Sequence, residues 1–335
     1  MKEKLLSIVI PFFNAKNEDI KRCLDSIYSQ ELRQDEFEVI VVNDCSTDKN
    51  TVEYLNSYKF LNSAPPNLLI INHEENKRQG GARNTGVQYA QGDYVQYIDQ
   101  DDYFEEEGLV KLLQHIKDDS SIDIYMMDHT RYDVNKKRSF GPFHTEIQTK
   151  LYVGTEFMVN FPVPWVPWLY CYRRSFLLEN DLKFEEKVRF EDVDYVMKAT
   201  VMAKSIIYYP EIKLIHTLSE NQTTFIGNDL PRITDLIKMF YRVRIVGQSY
   251  LKENNACANA ILGHHQFAYN SFTKRFFWRL KPSDFLSLIK QYPPKTPSKF
   301  KLLNFVAKYP KVFIYSCAVV RPLLYGMRNI IVRLK

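Results

Sequence analysis

The sequence predicts an α/β fold with a central, mostly parallel sheet flanked by helices, followed by a helical and basic C-terminal region. Apolar runs that do not alternate with polar residues, such as 5–11 and 37–42, are typical of strands buried on both faces of a sheet. Stretches of helical periodicity separate these runs. Each run also ends in a polar loop, and open α/β sheets bind ligands beyond the carboxyl ends of their strands.

The first half of the chain alternates strands with helices. Residues 19–30 carry apolar or small residues at helical spacing between the first two strands, which completes a β-α-β unit. Asp48 or Thr47 can cap the next helix. A glycine-bearing loop, 76–86, leads into a further helix. The expected elements are strands at 5–11, 37–42, 68–72 and around 95–98, and helices at 19–30, 49–58 and 82–90.

The second half is less regular. A strand at 123–128 is followed by a polar, turn-rich segment, 131–148, which indicates a hairpin or an excursion from the fold. A proline-stiffened aromatic loop occupies 161–168. The remaining expected elements are strands at 206–209 and 213–216 and helices at 105–116, at 175–181, from 189 onward and from about 229 onward.

Composition indicates a soluble globular protein. The 335 residues can bury one large core or two modest ones, and 45% apolar and 25% charged residues are ordinary values. Five widely spaced cysteines without a CxxC pair favour a reducing compartment over a disulfide framework or a cysteine-based zinc site. The sequence has no signal-peptide pattern and no apolar run that approaches 18 residues, so we expect no membrane-spanning helix.

Charge is distributed unevenly along the chain. Residues 274–335 contain 14 Lys or Arg and one acidic residue, a net charge of +13, whereas residues 1–273 carry −8. In 299–309 and 322–335, cations alternate with large apolar residues at near-helical spacing, which predicts attachment to an anionic membrane surface. The alternative is that this apolar face packs on the rest of the protein. A nucleic-acid partner is not expected, because aliphatic residues interrupt the cations and the body is acidic.

An acidic cluster follows the strand near 95–98. Asp99, Asp101 and Asp102 lie within four residues, where like charges repel one another. A cation would relieve this repulsion, and carboxylate oxygens suit Mg²⁺ or Mn²⁺. The pattern therefore favours a metal-bridged diphosphate site at the carboxyl end of a strand. A solvated turn or a helix N-cap is the alternative explanation.

Five segments, in order and at ordinary spacing, together resemble the GT-A glycosyltransferases of family 2: 7–14, 41–48, 81–86, 98–102 and 190–192. The resemblance covers roughly residues 5–220. It implies a Rossmann-like fold for nucleotide-diphospho-sugar transfer, with a catalytic domain at 1–225. The remaining residues, 226–335, lie beyond the resemblance, and their own pattern predicts a helical, basic region. Within the catalytic domain, residues 1–125 would bind the nucleotide-sugar, and 126–225 would form the acceptor side.

The resemblance assigns several residues to the nucleotide-sugar. Pro11 would contribute backbone to the nucleobase site, Phe13 stands where the family has a stacking aromatic, and Asp44 matches the acid that accepts a hydrogen bond from the uracil imide. Gly81 would let the backbone approach the ligand, and Arg83 would clamp phosphate. The alternative for Arg83 is an ion pair with an acid on its own helix.

The DXD element of the family matches Asp99-Gln100-Asp101. Asp101 would bind the divalent metal ion, Asp99 would hold the ribose or support the metal, and Gln100 would lie on the nucleotide side. Some GT-A enzymes add a late histidine as a metal ligand, a role that His216 would fill here, with a structural role as the alternative. Asp102 would support the site from outside or cap a helix.

Glu191 and Asp192 match the ED element of the family. Asp192 would be the general base of an inverting reaction, because an acceptor hydroxyl is a poor nucleophile until a carboxylate takes its proton. A helix N-terminus should keep that carboxylate ionised. The alternative is that both acids lie at the N-terminal end of the helix without a catalytic role. Trp165, Trp168 and Tyr170 would either stack on an acceptor sugar or pack within their loop.

The resemblance thus implies an enzyme that transfers a sugar, with inversion and with Mg²⁺ or Mn²⁺, from a nucleotide-sugar to a glycan or lipid-linked glycan. UDP-sugars are favoured through Asp44 alone. We expect a cytoplasmic enzyme of bacterial surface-polysaccharide synthesis, attached to the inner face of the membrane. The joint presence of Asp44, Arg83, Asp101 and Asp192 argues against a catalytically silent nucleotide-sugar-binding protein.

Overall fold

The computed structural model describes residues 4–60, 65–162, 164–218, 230–277, 280–293 and 308–309. The chain divides into two compact units, residues 1–222 and 223–335. The first unit is a mixed α/β body built on one sheet, and the second is helical where it is described.

The amino-terminal part of the sheet is parallel. β1 lies between β2 and β4, and β3 lies outside β2, so the carboxyl ends of these four strands meet at one edge. β1 and β2 are mostly apolar and are buried along their full length. The strands span Leu6–Phe12 (β1), Phe37–Asn43 (β2), Leu68–Asn72 (β3) and Tyr94–Tyr97 (β4).

The other part of the sheet mixes strand directions. β8 runs antiparallel to β4 and β6, β6 runs parallel to β9, and the short strands β5 and β7 pair antiparallel with β9 and β6. The order is β3-β2-β1-β4-β8-β6-β9-β5, with β7 beside β6. These strands span Tyr103–Phe104 (β5), Ile124–Asp133 (β6), Arg138–Phe140 (β7), Tyr170–Arg173 (β8) and Ile206–Leu218 (β9).

Helices flank the sheet and make up most of the described part of the second unit. Helical spacing of apolar residues explains α1, which buries Ile20, Cys23, Leu24 and Ile27. The helices of the first unit span Asn17–Tyr28 (α1), Lys49–Phe60 (α2), Arg78–Tyr89 (α3), Gly108–Asp118 (α4), Gly154–Asn160 (α5), Arg174–Glu179 (α6) and Asp192–Met202 (α7), with a 3₁₀ turn at Pro167–Leu169. Those of the second span Leu230–Ser249 (α8), Asn255–Phe277 (α9) and Pro282–Gln291 (α10).

The predicted α/β class, with a mostly parallel sheet and flanking helices, is confirmed. One boundary differs at the start of α3, where the glycines that suggested a loop lie in the first turns of the helix. A Cβ atom on Gly80 would lie only 2.6 Å from the carbonyl oxygen of Glu185 and 2.9 Å from Cγ of Glu191. Glycine at this position therefore permits close packing of α3 against the segment that precedes α7.

In the second half of the sheet, the structure differs from the prediction at two places. The strands expected at 206–209 and 213–216 form the single strand β9, which accommodates the intervening residues through a register shift opposite Met127 and Asp128. β8 was not expected, although it joins the two parts of the sheet.

Among the described residues, no helix has both the length and the apolar character needed to cross a membrane. The basic amphipathic stretches 299–309 and 322–335 lie outside the described residues, apart from Lys308 and Tyr309. Their attachment to a membrane stays a prediction.

Candidate active site

The loop after β1 is held by the loop after β4. The side-chain amide of Gln100 accepts a hydrogen bond from the backbone N–H of Phe13 (2.8 Å) and donates one to its carbonyl oxygen (3.1 Å). This two-point contact fixes the backbone of Phe13, whose side chain is 43% exposed. Pro11 is buried within β1. An exposed aromatic ring at the carboxyl edge of the sheet is available for stacking on a nucleobase.

Asp44 lies just beyond β2 and is buried. Its Oδ1 accepts a hydrogen bond from the backbone N–H of Lys77 (2.7 Å) and lies 2.8 Å from Nδ1 of His73. The other ring nitrogen of His73 lies 2.9 Å from Oγ1 of Thr85. These contacts fix the orientation of the Asp44 carboxylate. His73 was not selected from the sequence, because a lone histidine after a strand matches no motif.

Arg83 joins acids from two distant parts of the chain. Its side chain is buried, Nη2 donates to Oδ1 of Asp99 (2.7 Å), and Nη1 donates to Oε1 of Glu191 (3.0 Å). The guanidinium also lies over the ring of Phe184, 5.3 Å from its centroid. Burial acts to lower the pKa of Arg83, but the carboxylates of Asp99 and Glu191 outweigh it and raise that pKa. We call Arg83, Asp99 and Glu191 the arginine cluster.

Arg83 does not pair with an acid on its own helix, which was the alternative interpretation. Both of its partners, Asp99 and Glu191, lie on other elements. Both Nη atoms bind carboxylates in this arrangement. Three of its five N–H groups stay outside these two ion pairs, including the buried Nε–H, which has no hydrogen-bond partner among the described residues, so a phosphate clamp by Arg83 would use these remaining donors.

Glu191 and Asp192 lie at the start of α7, with Glu191 at the N-cap and Asp192 as the first helical residue. Glu191 is buried and Asp192 is partly exposed. Oδ1 of Asp192 accepts a hydrogen bond from the backbone N–H of Val193 (3.0 Å). Phe190 has a left-handed backbone, with φ of 60°, which is rare for a bulky residue and redirects the chain into the helix.

The pKa of Asp192 departs from the expectation that a helix N-terminus keeps the carboxyl ionised. Burial, reinforced by the charge of Glu191, raises the pKa of Asp192 to about 7, although Arg83 acts in the opposite direction. The pKa is higher than that expectation because desolvation and the charge of Glu191 both oppose ionisation of the carboxyl. A carboxyl group with such a pKa can gain and lose a proton near neutral pH, as a general base must.

The residues predicted to bind a metal ion offer a suitable set of donors. Asp99 and Asp101 are partly exposed, and His216 on β9 lies within electrostatic reach of Asp99. Nδ1 of His216 is buried and has no hydrogen-bond partner among the described residues. Burial lowers the pKa of His216, so its ring is neutral and can donate a lone pair. Two carboxylates and a neutral imidazole are donor types that suit Mn²⁺ or Mg²⁺. Among the described residues, however, these three side chains do not form a group whose ligand atoms all lie within 4.8 Å of one another.

Asp102 connects the acidic loop to β9. It is buried and accepts a hydrogen bond from the backbone N–H of Thr217 (2.9 Å), the residue after His216. Burial, together with the charges of Asp101 and Asp99, raises the pKa of Asp102 well above its usual range. Asp102 thus supports the site from outside and does not cap a helix.

Two of the three aromatic residues predicted to contact an acceptor sugar or to pack, Trp168 and Tyr170, lie inside the protein, whereas Trp165 is half-buried. Trp168 and Tyr170 are both buried. The ring of Trp168 lies 5.2 Å from that of His216, and the hydroxyl of Tyr170 donates to the carbonyl of Pro164 (3.0 Å). Trp168 and Tyr170 therefore agree with the second of the two interpretations, packing within the protein, and not with stacking on an acceptor sugar.

Comparison with known proteins identifies the family of this chain. The sequence model of Glycosyl transferase family 2 matches residues 7–176. The poly(ribitol-phosphate) β-glucosyltransferase of Bacillus spizizenii is 35% identical over 117 residues, which make up 35% of this chain and 18% of that protein. The uncharacterized glycosyltransferase EpsJ of Bacillus subtilis is 26% identical over 277 residues, 78% of this chain and 76% of its own length.

Solved structures share the fold. The crystal structure of TarS residues 1–349 from Staphylococcus aureus, in complex with UDP-GlcNAc, matches with a TM-score of 0.68 at 21% identity, over 86% of this chain and 80% of that one. This similarity supports the GT-A architecture. The match to the family model extends over half of the chain, and it includes Phe13, Asp44, Arg83 and Asp101. The chain therefore belongs to glycosyl transferase family 2.

Proposed function

We propose that the protein transfers a sugar from a UDP-sugar to a hydroxyl group of a polysaccharide or lipid-linked saccharide, with inversion at the anomeric carbon. The observation that carries this proposal is the partly exposed carboxyl of Asp192, which has a pKa of about 7 and lies beside the arginine cluster. The UDP-GlcNAc complex of TarS and the name of the poly(ribitol-phosphate) β-glucosyltransferase support these classes of donor and acceptor.

Asp192 acts on the acceptor in this mechanism. Its ionised carboxylate takes the proton of the acceptor hydroxyl while the hydroxyl oxygen bonds to the anomeric carbon. The bond from that carbon to the nucleoside diphosphate breaks, and the electron pair leaves with the diphosphate. Arg83 orients Asp99 and Glu191 through its two hydrogen bonds, which links the base on α7 to the end of β4.

The donor is held by the loops at the carboxyl edge of the sheet. Asp44 would accept a hydrogen bond from the uracil imide, and Phe13 would stack on the base above Pro11. Gly81 would let α3 approach the diphosphate. Asp101, Asp99 and His216 would hold Mg²⁺ or Mn²⁺, which would neutralise the charge that develops on the departing nucleoside diphosphate.

A panel of UDP-, GDP- and TDP-sugars tests this function. We expect UDP release that depends on a saccharide acceptor and on Mg²⁺ or Mn²⁺, together with a glycosylated product whose anomeric configuration is inverted relative to the donor. Binding of a UDP-sugar without release of UDP on any polysaccharide or lipid-linked acceptor would contradict the proposal and would favour a silent binding protein.

Activity should rise with pH through the pKa of Asp192. The raised pKa keeps this carboxyl protonated below about pH 7, where it cannot accept a proton. We therefore expect kcat/KM to fall about tenfold per pH unit on the acid side and to level off above neutrality. Nucleoside diphosphate release across a pH series measures the profile. An acid limb centred near the ordinary aspartate value of about 4 would contradict the assignment.

Replacing Asp101 with Ala should remove the increase in donor affinity that Mg²⁺ or Mn²⁺ provides. The loop should keep its place, because Nη2 of Arg22 donates to the carbonyl oxygen of Asp101 and this contact survives the substitution (2.8 Å). Calorimetric titration of UDP-sugar with and without Mn²⁺ measures the effect, with the exposed residue Asp118 changed to Ala as a control. Retention of metal-dependent donor affinity in Asp101→Ala would rule out Asp101 as a ligand.

A further inference from the structure

A second group of potential metal ligands lies on the part of the sheet that follows the acidic loop. Asp128 and His129 are on β6, and His144 follows the short strand β7. All three side chains are more than nine-tenths buried, and one potential ligand atom from each lies within 4.8 Å of the others. This group, which we call the β6 histidine cluster, shares no residue with the proposed catalytic site.

The nitrogen atoms of the β6 histidine cluster lack ordinary partners. Nδ1 of His129 and Nε2 of His144 are buried and form no hydrogen bond with any described residue. Nδ1 of His129 lies 3.8 Å from Oδ1 of Asp128, which is too far for a hydrogen bond. Buried polar atoms are almost always satisfied in folded proteins, so two such ring nitrogens beside one carboxylate are placed to bind a ligand.

The surrounding groups prepare these side chains to bind a cation. The hydroxyl of Tyr208 donates to Oδ2 of Asp128 (2.9 Å), and the backbone N–H of His129 donates to Oδ1 (2.7 Å), which fixes the carboxylate. The ring of His129 stacks on Phe143, with 4.5 Å between centroids. Burial lowers the pKa of His129 to about 3 and also lowers that of His144, so both imidazoles are neutral. Neutral imidazole is the form that binds metals.

We propose that Asp128, His129 and His144 bind a divalent transition-metal ion of the Zn²⁺ class. Two imidazoles and one carboxylate are a common zinc donor set, and the ligand atoms of a tetrahedral zinc site lie about 3.3 Å apart, so small side-chain shifts would close the cluster. Two imidazoles with one carboxylate distinguish this site from the proposed Mg²⁺ or Mn²⁺ site, which has two carboxylates with one imidazole. Tyr208 is a positioning residue that orients Asp128.

The site would add a further link between β6 and the segment after β7, which the stacking of Phe143 on His129 already brings together. His144 is buried in a loop whose other residues are largely exposed, whereas Asp128 and His129 belong to the sheet. A bound ion would therefore attach the segment after β7 to β6. The ring of Trp168 packs on His129 (5.3 Å between centroids) and on His216 (5.2 Å), so this attachment also supports the wall beside the proposed catalytic metal site.

The test uses the full chain after treatment with a chelator. Zn²⁺ is titrated against a chromophoric competitor, and Co²⁺ is added separately to record its visible absorption. We expect one tightly bound Zn²⁺ per chain, strong Co²⁺ bands typical of four- or five-coordination, and a Zn²⁺-dependent rise in Tm. Failure of the wild-type chain to bind Zn²⁺ more tightly than His144→Gln would overturn the proposal.

Three variants assign the binding to the cluster. His144→Gln should abolish the tight site, and Tyr208→Phe should weaken it about 10–100-fold, because it removes only an outer partner of Asp128. His115→Gln is the matched control, since His115 pairs with Glu211 outside the cluster and its loss should not change Zn²⁺ affinity. If His144→Gln does not fold by circular dichroism, Tyr208→Phe decides the question. Loss of Zn²⁺ binding in Asp101→Ala with no change in Tyr208→Phe would instead assign the ion to the acidic loop.

Discussion

Replacing Asp192 with Asn should reduce sugar transfer by about 10²–10⁴-fold, the usual contribution of a general base, while donor affinity stays near that of the wild type. The amide cannot accept the proton of an acceptor hydroxyl at neutral pH. Its oxygen can still accept the hydrogen bond from the backbone N–H of Val193, so the start of α7 should persist. Single-turnover transfer and calorimetric donor binding measure the two quantities separately.

Asp194→Asn is the matched control, because Asp194 lies in the same turn of α7 and pairs with Lys198. We expect it to keep transfer near the wild-type rate. Loss of stability would not explain the effect of Asp192→Asn. The pKa of Asp192 is raised on folding, so its ionised form destabilises the fold above neutral pH, and an uncharged amide should leave Tm at pH 8 unchanged or higher. Full turnover in Asp192→Asn would refute the base assignment.

Replacing Arg83 with Met should lower the free energy of unfolding by about 3–5 kcal/mol, because it removes the cation between two acids that cannot be fully hydrated. The side chain of Glu191 is 6% exposed and that of Asp99 is 21% exposed, so Glu191 bears most of the penalty. Met keeps an apolar stem but loses the guanidinium that lies over the ring of Phe184. Urea denaturation at neutral pH measures the change.

The pH dependence of this loss identifies its cause. Without Arg83, the pKa of Glu191 rises further, so Glu191 takes up a proton as the pH falls and the difference from the wild type should shrink. Arg33→Met is the control, because the Arg33–Asp35 pair is exposed and contributes little to stability. A loss in Arg83→Met as small as that in Arg33→Met would contradict the structural role of the arginine cluster.

Local periodicity predicted the parallel part of the sheet well. β1 to β3 and the helices between them lie within a few residues of their expected positions, because each element is set by its own apolar pattern. β8 could not be predicted in the same way. Its four residues carry no alternation, and its position depends on pairing with β4 and β6, strands that lie far from it in the sequence.

The candidate site shows the same division between local and long-range information. The order of the motifs identified Arg83, Asp99 and Glu191, but no local pattern shows that they form one ion-paired group across 108 residues. The pKa of Asp192 depends on burial, which the sequence around a helix start does not report. His73 and Thr217 were missed because each acts through one hydrogen bond to a residue that a motif had already identified.

Gln100 forms hydrogen bonds with both backbone polar groups of Phe13. The loop proposed to stack on the base and the loop proposed to hold the metal ion are therefore connected through this one side chain. In thermodynamic terms, the two ligands are then linked. Whichever ligand binds first orders the contact between Gln100 and Phe13 for the other ligand. The metal ion must then strengthen nucleotide binding by the same factor by which the nucleotide strengthens metal binding. We therefore expect the middle residue of the Asp99-Gln100-Asp101 element to carry a coupling free energy through its two hydrogen bonds to the backbone of Phe13.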